Sequence, residues 1–242
     1  MTALILAAGL GTRLKPWTDH NPKALVEVRG VPMLERVINN LQSFGFDRII
    51  INAYHFADKI IDFVQSKSFK SEILISDERP DLLDTGGGVL QASVFRANVE
   101  PLLVHNVDIL CNADLRELYE FHLNEFPEEV TLLISDRDSS RRLIFDGAMQ
   151  LKGWHGIEEN KYRPEGMSLN HGDMEFAFSG IYVIGERAIR EMDALMPDKN
   201  FRIMDYLLRP DRMARVKGYV KNDLNLIDIG KPATLLQAQT FL

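Results

Sequence analysis

The chain has 242 residues, 45% of them hydrophobic and 26% charged, with a formal net charge of -7 and one cysteine, Cys111. A chain of this length buries a sizeable core unaided, and a single cysteine excludes both a disulfide framework and a cysteine-based zinc site. The acidic balance argues against nucleic-acid binding, and no apolar stretch is long enough to span a bilayer.

Residues 3–8 (Ala-Leu-Ile-Leu-Ala-Ala) are a continuous apolar run, which predicts a strand buried on both faces. The run is not led by basic residues or followed by a cleavage region, so a soluble, cytoplasmic protein is expected. A loop with Gly9, Gly11, Pro16 and Pro22 follows. Apolar residues at Met33, Leu34, Val37, Ile38 and Leu41 have helical spacing, and Gly45 closes that helix. Strands are predicted at 48–52, 72–76, 101–105 and 130–135, with helices at 57–66, 88–96 and 114–125 between them. Residues 77–88, ending in Gly86-Gly87-Gly88, read as a loop.

Beyond residue 137 the alternation loosens. Residues 143–145 and 149–151 read as a hairpin around Asp146-Gly147, and 153–175 as an irregular, mobile flap. A long strand is expected at 176–184, helices at 186–193 and 202–208, a short strand at 226–230, and a helix from Pro232 onward. The whole predicts an α/β fold: a Rossmann-like, mostly parallel central sheet with helices on both faces and a small antiparallel region. No linker interrupts it, so one domain spanning 1–242 is expected. Ligands bind beyond the carboxyl ends of parallel strands, so the loop at 9–13, the loop at 77–88 and Asp108 are expected on one edge.

The first loop reads Leu6-Ala-Ala-Gly-Leu-Gly-Thr-Arg-Leu-Lys-Pro16. It lacks the Gly-Lys-Ser/Thr ending of a Walker A loop. Leu14 stands where a dinucleotide fingerprint needs its third glycine, and Asn52 where it needs an acid. Glycine spacing alone leaves two readings open: a tight strand exit with a solvated Arg13, or a phosphate loop with its own cations.

The full string, followed by Asn21-Pro-Lys-Ala-Leu25, resembles the signature of the sugar-phosphate nucleotidyltransferase family, L-A-A-G-x-G-T-R-(L/M) with a later P-K-(A/P)-(L/M). Leu83-Asp-Thr-Gly-Gly-Gly88 resembles the family's base-contacting loop, and Asn106-Val-Asp108 its N-G-D element. Phe178-Ser-Gly-Ile-Tyr182 resembles its sugar-side strand, and Ile227-Asp-Ile-Gly230 its late metal-binding D-(I/V)-G. Within the family the nearest resemblance is to enzymes that uridylylate N-acetylmuramate-1-phosphate, then to mannose-1-phosphate guanylyltransferases.

The resemblance implies the nucleotide-diphospho-sugar transferase fold, with 1–136 as the nucleotide-binding half and 137–242 as the sugar-phosphate half. It implies transfer of a nucleoside monophosphate from a nucleoside triphosphate to a sugar-1-phosphate, with Mg2+ and release of pyrophosphate. Arg13 and Lys23 would be catalytic, and Asp108 and Asp228 would hold the metal. Leu6, Ala7, Ala8, Gly9, Gly11 and Thr12 would contact the nucleotide, joined by Thr85, Gly86, Gly87 and Asn106. Ser179 and Gly180 would contact the sugar.

The chemistry suits these residue types. Both substrates are anions, so their approach needs charge neutralisation. Magnesium takes one or two carboxylates plus phosphate oxygens. A phosphate monoester is already ionised at neutral pH and needs no general base, and the six histidines form no constellation to supply one; His105 reads as structural.

The chain departs from the family in lacking an E-K-P lysine for the sugar phosphate. Glu159-Asn-Lys161, Arg141 and Arg142 are the nearest substitutes. Val107 replaces the N-G-D glycine, and Leu226 the subgroup's tryptophan. A rival reading, a nucleotide-sugar glycosyltransferase, needs a D-x-D that is missing at Asp108. A non-catalytic relative would commonly lose one of the four charged residues kept here. Phosphocholine cytidylyltransferase chemistry would need an aromatic cage, for which Trp154, Tyr162 and Phe176 are available.

Overall fold

A computed structural model describes residues 1–97 and 99–241. Strand β1 (Thr2–Leu6) is almost wholly buried, as its unbroken apolar run predicts. Short 3-10 turns at Thr12–Leu14, Trp17–Asp19 and Lys23–Leu25 fold the long loop back on itself. A small ribbon, β2 (Glu27–Val28) and β3 (Val31–Pro32), leads into α1 (Met33–Ser43). This helix buries the five apolar residues of the predicted stripe, and Gly45, at φ 85°, ends it.

Then come β4 (Arg48–Ala53), α2 (Ala57–Gln65), β5 (Glu72–Asp77), α3 (Asp84–Ser93) and β6 (Leu102–Asn106). Strand β7 (Ile109–Cys111) precedes α4 (Leu115–Glu125), whose N-cap Asp114 accepts a 2.9 Å bond from the Glu117 amide. The second half runs β8 (Val130–Ser135), β9 (Arg141–Phe145), β10 (Leu151–Gly156), β11 (Lys161–Arg163) and β12 (Met174–Ile184). Helices α5 (Glu186–Leu195) and α6 (Ile203–Leu207), strands β13 (Val216–Val220) and β14 (Leu226–Asp228), and α7 (Pro232–Phe241) complete the chain.

Strands β5, β4, β1 and β6 are parallel neighbours, with Leu6 opposite Asn52 on one side and Asn106 on the other. Strand β12 pairs antiparallel with β6 and with β8, so β8 runs in the direction of β6, and β13 lies parallel beside β8. The carboxyl ends of β5, β4, β1, β6 and β8 therefore share one edge. The first residues of β12 pair with β9, which carries β10 and β11 as a small antiparallel extension. The sheet is thus continuous through both halves of the chain. Alternate residues serve opposite layers: Ala3 and Ile5 join one core with Ile49 and Ile51, while Leu4 joins the other with Ile50.

Four features differ from the sequence reading. Helix α3 begins at Asp84, so Gly86, Gly87 and Gly88 lie in its first turns, not in a loop. Glycine disfavours helix, which is why the run reads as loop. Packing overrides that preference: a Cβ on Gly86 would sit 2.2 Å from the Phe201 ring, and one on Gly87 1.8 Å from the Lys199 carbonyl oxygen. Secondly, 153–175 is not wholly irregular, since β10 and β11 pair there. Thirdly, β2, β3, β7 and β13 are additional strands; the first three are only two or three residues long, and β7 and β13 find their partners far away in sequence. Lastly, the hairpin turn around Asp146 is wider than expected, its second strand starting at Leu151; the Asp146 Oδ1 accepts from the Ala148 and Gln150 amides, both at 2.9 Å. Among the described residues no helix is long and apolar enough to cross a membrane.

Candidate active site

The loop after β1 borders a cavity of about 410 Å³ at the shared edge. It is lined there by Leu6, Ala7, Ala8, Gly9, Gly11 and Thr12, and by Arg13 and Lys23 further along. Asn52, Leu82 and Thr85 close one wall; Asn106, Asp108 and Gly230 close the other. Gly9 faces open space, so nothing of its own keeps a ligand from the backbone. Gly11 is needed for a different reason: its φ is 63°, and a Cβ would meet Thr18 at 2.8 Å and Lys23 at 3.0 Å. Thr18 locks this turn by donating its hydroxyl to the Gly11 carbonyl at 2.9 Å.

A buried polar clamp sets the loop's orientation. The Asn52 side-chain oxygen accepts from the Ala7 amide at 2.6 Å and the Ala8 amide at 3.2 Å. Its nitrogen donates to Glu78 Oε1 at 2.6 Å, and Glu78 Oε2 accepts from the Leu83 amide at 3.2 Å. Burial pushes the Glu78 carboxyl above the usual range, against the bonds from Leu83 and Asn52. These two side chains together tie the exits of β1, β4 and β5 to the start of α3. The amides of Ala7 and Ala8 are committed to Asn52, so only other groups of these two residues are free for a ligand. Asn52→Ala would leave two amides and a carboxylate without their partner, and a stability loss of about 2–4 kcal/mol is expected. A denaturant midpoint within error of the parent would show that the clamp is dispensable.

The four charged residues singled out in the sequence converge. Lys23 Nζ bonds Asp108 Oδ2, with the two side chains 11% and 16% exposed. Strand β14 pairs antiparallel with β7, setting Asp228 opposite Ile109, and the Ile229 amide donates to the Asp108 carbonyl at 3.0 Å. The Asp228 carboxyl is raised, first by partial burial and then by the charge of Asp108; Lys23, the Gly230 amide and Arg13 pull it back. Gly230 is wedged between the same groups: a Cβ there would lie 2.6 Å from Arg13 Nη2 and 2.7 Å from Asp228 Oδ1. Two carboxylates and two cations thus face one another at the mouth of the cavity.

This donor set fits a magnesium ion. Two neighbouring carboxylates repel unless a cation lies between them, and magnesium takes its remaining oxygens from phosphate and water. Among the described residues no cluster of three or more His, Cys, Asp or Glu exists to hold a metal without such help.

Other residues singled out in the sequence are placed differently. Gly86 and Gly87 are buried and pack against 199–201, with the Gly86 amide donating to the Phe201 carbonyl at 2.8 Å; neither lines the cavity. The Thr85 hydroxyl accepts from the Ile203 amide at 3.0 Å. Ser179 is buried, with its hydroxyl accepting from the Ile181 amide at 3.1 Å. Gly180, at φ 78°, gives way to Asn106, whose Nδ2 would lie 2.7 Å from a Cβ there. His105 is buried against the Asn106 carbonyl, and its pKa is lowered to about 4 by burial, as befits a structural imidazole.

The aromatic cage is not formed. Trp154 carries Arg163 over its ring at 5.6 Å, Tyr162 stacks on His155 at 4.2 Å, and Phe176 packs on Phe145. The sequence reading missed Asn52 and Glu78, which lie at the ends of apolar strands like Asp108 and could have been found on that ground.

The profile of the MobA-like NTP transferase domain family matches residues 3–147. An N-acetylmuramate alpha-1-phosphate uridylyltransferase of Caulobacter vibrioides is 38% identical over 109 residues, 44% of this chain and 45% of that protein. An N-acetylmuramate alpha-1-phosphate uridylyltransferase of Neisseria meningitidis is 33% identical over 243 residues, 99% of this chain and 97% of that protein. Among several curated relatives, then, the matched stretch spans about half of the relative's length or less, whereas the Neisseria protein is matched nearly end to end. The crystal structure of HddC from Yersinia pseudotuberculosis complexed with GMP-PN superposes with a TM-score of 0.78 at 25% identity, covering 99% of this chain and 98% of that one.

Proposed function

The chain belongs to the MobA-like NTP transferase domain family, and on that footing we propose that it is a sugar-1-phosphate nucleotidyltransferase. A phosphate oxygen of the sugar-1-phosphate attacks the α-phosphorus of a nucleoside triphosphate. The bond from that phosphorus to the bridging oxygen breaks, and pyrophosphate leaves. The observation that carries this reading is the meeting of Arg13, Lys23, Asp108 and Asp228 beside the glycine loop.

Each residue has a task suited to its chemistry. The open backbone at Gly9 admits the triphosphate. Arg13, exposed and forked, grips the β and γ phosphates and steadies the leaving pyrophosphate. Lys23, a compact point charge, lies between the α-phosphate and the incoming oxygen. Asp108 and Asp228 would hold Mg2+, which when bound neutralises phosphate charge as it develops. No protein group has to take a proton, because the nucleophile is already an anion.

The best-supported pair is UTP with N-acetylmuramate-1-phosphate, on the end-to-end likeness to the Neisseria protein of that name. Such a role makes a precursor of cell-wall sugar metabolism and belongs in the cytoplasm. Guanylyl transfer is the second reading, favoured by the likeness to the HddC complex with GMP-PN. A matrix of nucleoside triphosphates against sugar-1-phosphates, scored by Mg2+-dependent pyrophosphate release, tests both. The highest rate is expected with UTP and N-acetylmuramate-1-phosphate; silence across the matrix would end the proposal.

A further inference from the structure

The proposed reaction brings a second anion, the sugar phosphate, to the side of the site opposite the glycine loop. Arg13 serves the nucleotide's tail, and Lys23 is bonded to Asp108 and shared with the α-phosphate, so the acceptor phosphate needs a further cation. The substitutes suggested by sequence are poorly placed. Arg142 is consumed: its guanidinium pairs with Asp136 at 2.9 Å and donates to the Glu175 and Arg137 carbonyls at 3.2 and 3.0 Å. Lys161 lies on β11, which ends the sheet three places away from β12. Arg141 is exposed at the start of β9.

Arg137 is placed quite differently. Strand β8 runs in the direction of β6, so Arg137, two residues beyond the end of β8, occupies the place that Asp108 occupies two residues beyond β6. Its Nη2 donates to the Phe178 carbonyl at 3.0 Å, next to Ser179 and Gly180, and Gly180 abuts Asn106 of the cavity wall. Its Nη1 makes only a long 3.4 Å contact with the Asp138 carbonyl, and its Nε is buried without any partner. Burial pulls the guanidinium's pKa down and Arg142 adds to this, while the Asp228 carboxylate favours its charge. Arg137 is a half-buried cation with most of its donors unspent, within electrostatic reach of Asp228.

Resting on the function proposed above, we infer that Arg137 is the acceptor-side binding residue, which pairs with the phosphate of the incoming sugar-1-phosphate. The fork of an arginine holds two phosphate oxygens at once, leaving a third to face the α-phosphorus. The bond to the Phe178 carbonyl fixes the arm from behind. This accounts for a chain that lacks the E-K-P lysine and still keeps the rest of the machinery.

The test uses the full chain with Mg2+, the best pair from the substrate matrix, and the variants R137Q and R137K. Gln keeps an amide that can donate to the Phe178 carbonyl but loses the charge; Lys keeps the charge but loses the fork. In R137Q the KM for the sugar phosphate is expected to rise about 10- to 100-fold, with the KM for the nucleotide moving less than about threefold. R137K is expected to fall between R137Q and the parent. Orthophosphate, added as a competitor, should inhibit the parent more strongly than R137Q. A sugar-phosphate KM within about twofold of the parent in folded R137Q overturns the inference, as does an equal rise in both KM values. If R137Q does not fold, R137K decides alone: an unmoved sugar-phosphate KM overturns the inference. A parent silent with every pair overturns the proposed function and this inference with it, whereas an active parent with an unmoved KM overturns the inference only.

Discussion

Replacing Lys23 with alanine is expected to lower kcat by about 100- to 1000-fold while leaving a folded protein. The size follows from where the ammonium sits. It is largely shielded from water and bonded to Asp108, so its charge acts at close range with little screening. Without it, the charge growing on the α-phosphate loses its nearest protein cation. The carboxylate pair also loses the partner that pulls the Asp228 pKa down, so Asp228 is expected to hold its proton to a higher pH. Lys23→Arg is not expected to restore the rate, because a planar fork does not replace a compact charge in a slot this enclosed. Pyrophosphate release at saturating substrates, read beside a melting curve, checks both halves. Parent-like turnover in Lys23→Ala would remove Lys23 from the mechanism.

Asp228→Asn should have two opposite effects: loss of Mg2+-dependent turnover by about 100-fold or more, and a higher melting temperature in chelator at neutral pH. The second follows from electrostatics. Burial and Asp108 hold the Asp228 carboxyl above its unfolded value. A group raised in this way contributes fully below its unfolded pKa, about 3.9, and loses that contribution as pH climbs through the folded value. At pH 7 the ionised carboxylate therefore works against the fold. Asparagine removes the charge but keeps an oxygen to accept from the Gly230 amide, as Asp228 Oδ1 does at 2.6 Å. The advantage of the variant should shrink as pH falls toward 4. An Asn variant that melts lower than the parent in chelator at pH 7, with an unaltered Mg2+ titration, would contradict the pairing of the two carboxylates at one ion.

Local pattern carried much of the fold. The apolar run at 3–8 becomes a buried strand because a parallel strand inside a sheet has no wet face. The stripe on α1 becomes its buried side because 3.6-residue spacing puts those positions on one face. Asp108 was visible because it stands just past an apolar run, where a strand opens onto the ligand edge. Local pattern misled where packing reversed a preference, as at Gly86 to Gly88, whose helix survives because Phe201, Lys199 and Glu78 leave no room for a Cβ.

The amino-acid sequence by itself determined the alternating α/β order, the glycine loop with its two cations, and two aspartates at strand ends, because each depends on neighbours within a few residues. Tertiary structure alone decided that β14 pairs with β7 and carries Asp228 to Asp108, that Asn52 and Glu78 clamp the glycine loop, and that Arg137 reaches the Phe178 carbonyl beside Gly180. Those contacts are set by strand order and register between segments far apart in the chain, and hydrophobic periodicity holds no record of which strand will lie beside which.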